Sequence, residues 1–538
     1  MPTRRVGFTG RSCLSKDGWV SAPRGIWSAA GVLAGLAGLA VSHAATMALT
    51  LRVSPPVAVA ELVVQYVPGV LAEKAIAILG HWDKPVLVLI IFLLLVACWA
   101  YAGTLAARSW WQPIIVFAVL GGIGLYAAMT RFDARAVDTL PVAAGTVTSI
   151  VVLSFLTDPL RVAHEDDARR AREDTERIPE QRRHTRRTFL VRASVVAVLA
   201  GAVGSFGERL GRRRRHVEMS RRLLKLPISD PATPAGARVD VEGISRWKTP
   251  NERFYLIHTA IAAPAIEPSE WNLRIHGMVD REVNLTYQAL IDREITEDWI
   301  TLNCVSNPVG GPLIGNAWWS GVRLDALLAE AGVRPGADAV LQTSWDGWTC
   351  GTPIDVLTET GRNAMLAIAM NGQPLPIDHG FPVRTIVPGL YGFVSACKWV
   401  TDIEVSRFED FTAYWTDKGW SERAPVKIAS RIESPRGGDE VPAGRVRVGG
   451  SAWAQSVGIR AVEYSLDGAG WREAELGTVP NNDTWRQWVA TLHLDEGDHR
   501  LRVRAVGADG QVQTGVEQDV RPDGATGWHE VEFSATQA

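Results

Sequence analysis

Five long apolar runs within the first 206 residues constrain this chain more than any other feature. Ile26 to Leu49, Val86 to Ala106, Pro113 to Met129, Leu140 to Leu156 and Thr188 to Phe206 carry almost no charge, and a helix needs about 20 such residues to cross a hydrocarbon layer. Arg4, Arg5, Arg11, Lys16 and Arg24 precede the first run, Arg108 lies between the second and third, and an arginine-rich segment from Arg161 to Arg187 follows the fourth. With these cations on the cytoplasmic side the runs form one consistent weave of five spans, which sends the chain after Phe206 outward. The stretch from Val57 to Gly80 is apolar but broken by Glu61, Pro68, Glu73 and Lys74, and reads as an interfacial element on the outer face. No paired acids or bases inside the runs mark a transport pathway, which argues against a transporter carrying a regulatory soluble domain.

A chain of 538 residues is too long for one core and predicts about three domains. The net charge of -2 gives no reason to expect nucleic acid as a partner. Cys13, Cys98, Cys304, Cys350 and Cys397 show neither disulfide pairing nor a CxxC or CxxCH spacing, so neither zinc nor covalent haem is signalled. Among the spanning runs His43 alone offers an iron ligand. Just before the fifth run, Thr185-Arg186-Arg187-Thr188-Phe189-Leu190 resembles a twin-arginine export signal, although two arginines flanking an ordinary span would look the same. Arg212 to Arg215 would then lie outside, against the charge bias, where anionic lipid headgroups would account for them.

Residues 1–210 are thus expected to be membrane region and 211–244 linker, Pro-rich from about Leu226 to Pro231. The alternating Trp271-Asn272-Leu273-Arg274-Ile275 and the helical Leu324 to Glu330 predict an α+β domain over 245–411. Over 425–538, Val462, Tyr464 and Leu466 alternate into Asp467-Gly468, and Leu501, Val503 and Ala505 alternate toward Asp509-Gly510. That pattern predicts an all-β, Ig-like sandwich.

The stretch Thr301 to Gly311, TLNCVSNPVGG, sets Cys304 between asparagines and ahead of a Pro and a Gly pair. A backbone that turns there presents a thiolate to a ligand rather than to a core. The loop resembles the metal-ligating loop of the sulfite oxidase family, in which one cysteine binds a molybdenum otherwise held by a pyranopterin dithiolene. Further matching pieces are Gly315 to Val322, Met370 to Pro376, His379-Gly380-Phe381-Pro382-Val383-Arg384, Val387-Pro388-Gly389, Ser395 and Lys398-Trp399. The resemblance implies Cys304 as metal ligand and Tyr255, Thr343, His379, Arg384, Ser395 and Lys398 as cofactor contacts. Guanidinium and ammonium groups suit a phosphate. His258 is a candidate proton donor, or equally a structural histidine. Asp346 is a candidate for orienting water or substrate, although Asp-Gly is first a turn signal. Cys350 and Cys397 are expected to be buried packing thiols. Ser451 to Ala454 and Thr484 to Trp488 resemble pieces of the family's dimerisation domain, with ordinary aromatic packing as the alternative.

The departures bear on substrate. Where sulfite-oxidising members supply two arginines and a tyrosine, this chain has Leu256, Val309 and Ile368. Each lost charge-assisted bond is worth about 1.5 to 3 kcal/mol, so an uncharged oxo compound such as an organic S-oxide suits the site better than sulfite. The expectation is a membrane-tethered molybdopterin oxidoreductase working by two-electron oxygen-atom transfer on a small substrate at the outer face. A separate electron-transfer protein, membrane lipid and a possible second copy of the chain are its partners. The alternatives are a non-catalytic pterin-binding scaffold and a sulfite dehydrogenase with a substituted anion site.

Overall fold

The computed structural model describes residues 24–49, 54–67, 71, 78–79, 82–130, 134, 136–172, 179–210 and 213–537; for 24, 163–172, 179–186 and 204–210 it describes the backbone alone. The chain divides into two compact units. The first is helical: α1 (Arg24–Ala48), α2 (Pro55–Tyr66), which runs into the second unit's segment, α3 (Asp83–Ala106), α4 (Gln112–Met129), α5 (Leu140–Arg172) and α6 (Pro179–Leu210). Four stretches among the described residues are long and apolar enough to cross a membrane, Gly25–Ala48, Asp83–Ala106, Gln112–Met129 and Ala136–Val162. They coincide with the first four apolar runs. The fifth run lies inside α6, and the side chains of Thr185 and Arg186 fall outside the described residues, as do Arg4, Arg5, Arg11, Lys16, Pro68, Glu73 and Lys74.

Small residues let these helices approach closely. A Cβ on Gly31 would stand 2.0 Å from the Trp99 carbonyl oxygen, and one on Gly103 would stand 2.0 Å from that of Trp27. Backbone therefore meets backbone between α1 and α3, the usual solution where side-chain burial gives no driving force.

The second unit opens with α7 (Arg213–Leu223). Two sheets follow. One is ordered β2-β1-β10-β5-β6, from β1 (Asn272–Gly277), β2 (Val283–Thr286), β5 (Ala339–Ser344), β6 (Thr349–Pro353) and β10 (Val400–Ser406). Its β1 and β10 run parallel with Ile275 opposite Ile403, while the other pairs are antiparallel. The other sheet runs β3-β4-β7-β8, from β3 (Thr296–Asn303), β4 (Ile314–Arg323), β7 (Met365–Met370) and β8 (Gln373–Pro374), with β9 (Arg384–Ile386) on β7. Short helices α8 (Tyr287–Ile291), α9 (Leu324–Ala331) and α10 (Ile354–Thr358) join them. Helix α9 stops at Gly332, whose φ of 72° places it in the left-handed region that closes a helix. This part is mixed helix and sheet, as its sequence pattern predicts.

The C-terminal part is all β. One sheet holds β11 (Ala429–Ser434), β13 (Gly444–Trp453), β17 (Arg486–Leu494) and β16 (Glu475–Leu476); the other holds β12 (Glu440–Pro442), β19 (His529–Thr536), β18 (Gly497–Gly507), β14 (Ile459–Leu466) and β15 (Arg472–Glu473). Val448, Trp488 and Leu492 from the first and Val462, Leu501, Val503 and Phe533 from the second form one core. The alternation of apolar residues along β14 and β18 is what buries one face of each strand.

Candidate active site

Cys304 opens the loop between β3 and β4, and that loop is folded by its own polar groups. Its N–H donates to the Leu313 carbonyl at 3.0 Å, and its carbonyl accepts from the Asn307 N–H at 3.1 Å. The Asn307 side chain accepts from the Leu313 N–H at 2.8 Å and donates to Asn303 at 3.3 Å. The asparagines flanking the cysteine thus act as loop braces. Cys304 is half-buried and its Sγ lies 3.0 Å from the Ser306 hydroxyl. Burial pushes the thiol up, against the pull of Ser306 and the Lys398 charge.

Four more expected residues share this neighbourhood. Tyr255 has its phenol pushed up by burial and by Cys304, and feels Arg384 in turn. Arg384 begins β9 and is buried; its guanidinium donates to the carbonyls of His379 at 3.1 Å and of Ala396 and Thr385 at 3.5 Å, and stands over the Trp319 ring at 5.4 Å. No carboxylate meets it among the described residues. Burial pulls its pKa down to about 10. Lys398 donates to the carbonyls of Ile257 and Asp378 at 3.1 and 3.0 Å. His379 donates its Nε2–H to the Asn251 carbonyl at 3.1 Å, and its buried Nδ1 has no hydrogen-bond partner. Burial first, then Lys398 and Arg384, lower its pKa to about 3, so the ring is neutral. Gly380, with φ 110°, makes this crowding possible: a Cβ there would lie 3.0 Å from that of Arg384 and 3.2 Å from that of Lys398.

The remaining expected residues are placed differently. His258 is half-buried with its ring centroid 5.7 Å from that of Trp399. Thr343 is buried in β5, where its carbonyl accepts from Thr401. The Ser395 hydroxyl donates to the Tyr391 and Leu390 carbonyls and so closes the turn before Lys398. Asp346 accepts the Trp348 N–H at 3.2 Å, the turn role its Asp-Gly sequence suggests. Cys350 and Cys397 are buried, with the Cys397 thiol pushed up by burial and by Cys350 beside it. Leu256 and Val309 are 45% and 36% exposed, next to Tyr255 and within the cysteine loop respectively. Ile368 is fully buried in β7 within the apolar core. The expectation that it lines a substrate pocket is corrected: its side chain packs against the domain interior.

Arg213 and Arg214 have partners that the sequence does not announce: Arg213 pairs with Glu270, and Arg214 binds both carboxylate oxygens of Asp378 at 2.8 and 3.0 Å. Asp378 neighbours His379, so α7 braces the turn that carries it. No local pattern announces partners that distant in sequence.

A buried guanidinium without a counter-charge and an orphaned imidazole nitrogen are costly in an apolar interior. Both fit an anionic, hydrogen-bonding cofactor. No group of three or more His, Cys, Asp or Glu side chains that would hold a metal occurs among the described residues.

Residues 259–415 match the oxidoreductase molybdopterin-binding domain family. The chain is 31% identical over 301 residues to sulfite oxidase of Gallus gallus, covering 47% of this chain and 64% of that one. It is 33% identical over 171 residues to the uncharacterized oxidoreductase YuiH of Bacillus subtilis (strain 168), covering 32% of this chain and 82% of the relative. The chain spans 52% to 64% of the length of the first curated sulfite oxidases it matches. A solved structure, the sulfane dehydrogenase SoxCD from Paracoccus pantotrophus, matches at 24% identity and TM-score 0.44 over 49% of this chain and 74% of that one.

Proposed function

Because the chain belongs to the sulfite oxidase family of molybdopterin-binding oxidoreductases, we propose that it carries out two-electron oxygen-atom transfer on a small, uncharged, sulfur-containing oxo substrate. The observation that carries this reading is the pairing of a half-buried thiol at Cys304 with a buried, counter-charge-free guanidinium at Arg384. Cys304 would bind molybdenum, whose affinity for soft sulfur donors suits a thiolate. Arg384, Lys398 and the Nδ1 of His379 would hold the pterin and its phosphate, Arg384 through its planar fork and Lys398 as a compact charge. When bound, the cofactor supplies the redox chemistry, and the protein supplies binding and orientation.

The chain's own residues set the surroundings. The neutral imidazole of His379 donates Nε2–H to the Asn251 carbonyl and so presents Nδ1 as an acceptor for a pterin N–H, without adding to the two cations beside it. Tyr255 keeps its proton at any ordinary pH and so offers an O–H donor close to Cys304. Leu256 and Val309 supply no charge-assisted bond to a dianion, which favours an uncharged S-oxide or sulfide over sulfite. Electrons would pass to or from a separate protein. The apolar helices would anchor the chain as a multi-pass membrane protein through five spans, with α6 as the fifth and the second unit outside the cytoplasmic membrane. The C-terminal sheets would form an Ig-like dimerisation domain over 425–538, following a cofactor domain over 245–411.

Purified protein is expected to contain one molybdenum per chain and to turn over dimethyl sulfoxide with a reduced dye. Cys304→Ser should fold, yet lose that activity, because a serine oxygen is a harder donor. Full turnover by the serine variant would overturn the assignment.

A further inference from the structure

The cysteine loop is fastened by the C-terminal sheets. Arg431 of β11 donates from Nη1 to the Gly311 carbonyl at 2.9 Å and from Nη2 to the Ser245 hydroxyl at 3.2 Å. Its Nε meets Glu433 at 2.9 Å and Ser451 at 3.2 Å, and the guanidinium lies 5.5 Å over the Trp485 ring. Arg431 and Glu433 are both buried at the side chain. Burial works against the Glu433 carboxylate, but Arg431 and the donors of Ser245 and Ser451 hold it below the usual range.

His529 of β19 stands on the same loop. Its Nδ1 accepts the Ile432 N–H at 2.9 Å, and a Cβ on Gly310, whose φ is 75°, would lie 2.1 Å from its Nε2. The ring therefore rests directly on the loop backbone. On the other side of the cysteine, the Thr301 N–H donates to the Asp483 carbonyl at 2.9 Å, and the Thr301 hydroxyl accepts the Trp485 N–H at 2.8 Å. Cys304 thus lies between two points, Thr301 and Gly310-Gly311, that are both fixed by C-terminal strands and loops.

A buried ion pair adds little net stability over a well-packed apolar pair, because desolvation offsets its attraction. What an apolar pair cannot do is hold a loop carbonyl at a set distance. We infer that Arg431, supported by Glu433 and His529, is a positioning residue for the Cys304 sulfur, so that the C-terminal sheets set the geometry of the metal ligand. This rests on the reading of Cys304 as the ligand, but the restraint on the loop exists without the metal.

The test is the neutralised pair Arg431→Gln with Glu433→Gln, which leaves no buried charge unpaired, together with Arg431→Lys, which keeps the charge and loses the fork. Arg504→Gln with Glu463→Gln, an ion pair in the same sheets with a 2.6 Å contact and no bond to the loop, serves as control. In protein stripped of cofactor, amides of Cys304 to Gly311 should exchange hydrogen about tenfold faster in the neutralised pair, as expected for losing one buried charged hydrogen bond. Arg431→Lys should fall between, and the control should match wild type. In loaded protein the molybdenum(V) paramagnetic spectrum should shift, with kcat lowered about tenfold and KM within about twofold. Unchanged exchange and spectrum in folded Arg431 variants would overturn the inference, as would an equal change in the control. Faster loop exchange in a protein that holds no molybdenum would uphold the restraint and sink the proposed function instead.

Discussion

Apolar side chains lie in the open in both units, and they mean different things in each. In the first unit Leu89, Leu93, Leu94, Val119, Val151 and Leu199 are exposed along several helices, while small residues such as Gly31, Ala34, Ala102 and Gly103 are buried where helices meet, beside Trp27, Trp99 and Leu156. Such an inside-out distribution suits a surrounding solvent as apolar as leucine itself. In the second unit the interior holds Trp271, Trp319, Trp399 and Trp488, all buried, and the large exposed apolar residues are few. Three of them, Leu256, Ile257 and Val309, stand beside Tyr255 or within the Cys304 loop. One distribution speaks of a medium and the other of a ligand.

The largest effect that would break this contrast is topological. A reporter fused after Ala538 should register outside the cytoplasm, and one placed in the 161–187 segment should register inside, each all or none. A cytoplasmic signal from the C-terminal fusion would mean an even number of spans and remove α6 as the fifth. Of intermediate size is the substrate effect. Leu256→Arg combined with Val309→Arg should improve sulfite KM by about tenfold or more, one charge-assisted bond or better, with no gain for dimethyl sulfoxide. Both side chains are partly open, so the protein should fold at equal molybdenum content; efficient sulfite oxidation by wild type would place the anion site elsewhere. A tyrosine at 368 has no part in this test, since Ile368 is sealed in the core and a larger side chain there would overpack it.

The smallest effect concerns the dry interior of the second unit. Burial, then the Arg431 charge, lowers the His529 pKa to about 4. Between that value and the unfolded value near 6.5, the unfolded chain binds the extra proton, so stability is complete above about 6.5 and falls as pH drops toward 4. Denaturation of wild type at pH 5 against pH 7 should show a loss to which His529 contributes about 2 kcal/mol, and His529→Gln should reduce that dependence. An identical pH profile in the variant would mean that the ring is not held neutral.

Legibility followed locality. The four helices long and apolar enough to cross a membrane could be read because each is one uninterrupted apolar run, and the cysteine loop because its turn residues lie next to the thiol. Strands β14 and β18 were marked by simple alternation. The ion pairs of Arg213 and Arg214 were not legible because their carboxylate partners lie 57 and 164 residues away. Ile368 was misjudged for a related reason: in a strand buried on both faces, position along the chain does not reveal which side chain meets a pocket. Arg431 gave no sequence signal at all. Its meaning lies in the Gly311 carbonyl, 120 residues earlier.

Gly380 has a consequence for the life history of the chain. By letting Arg384 and Lys398 close around one glycine, it gathers two like charges in a poorly hydrated place. If the proposed cofactor binds there, its uptake would offset that repulsion and act as a late step in folding. Stability, protease resistance and abundance should then follow the supply of cofactor in the cell, so that scarcity of a small molecule is felt first as loss of the protein itself.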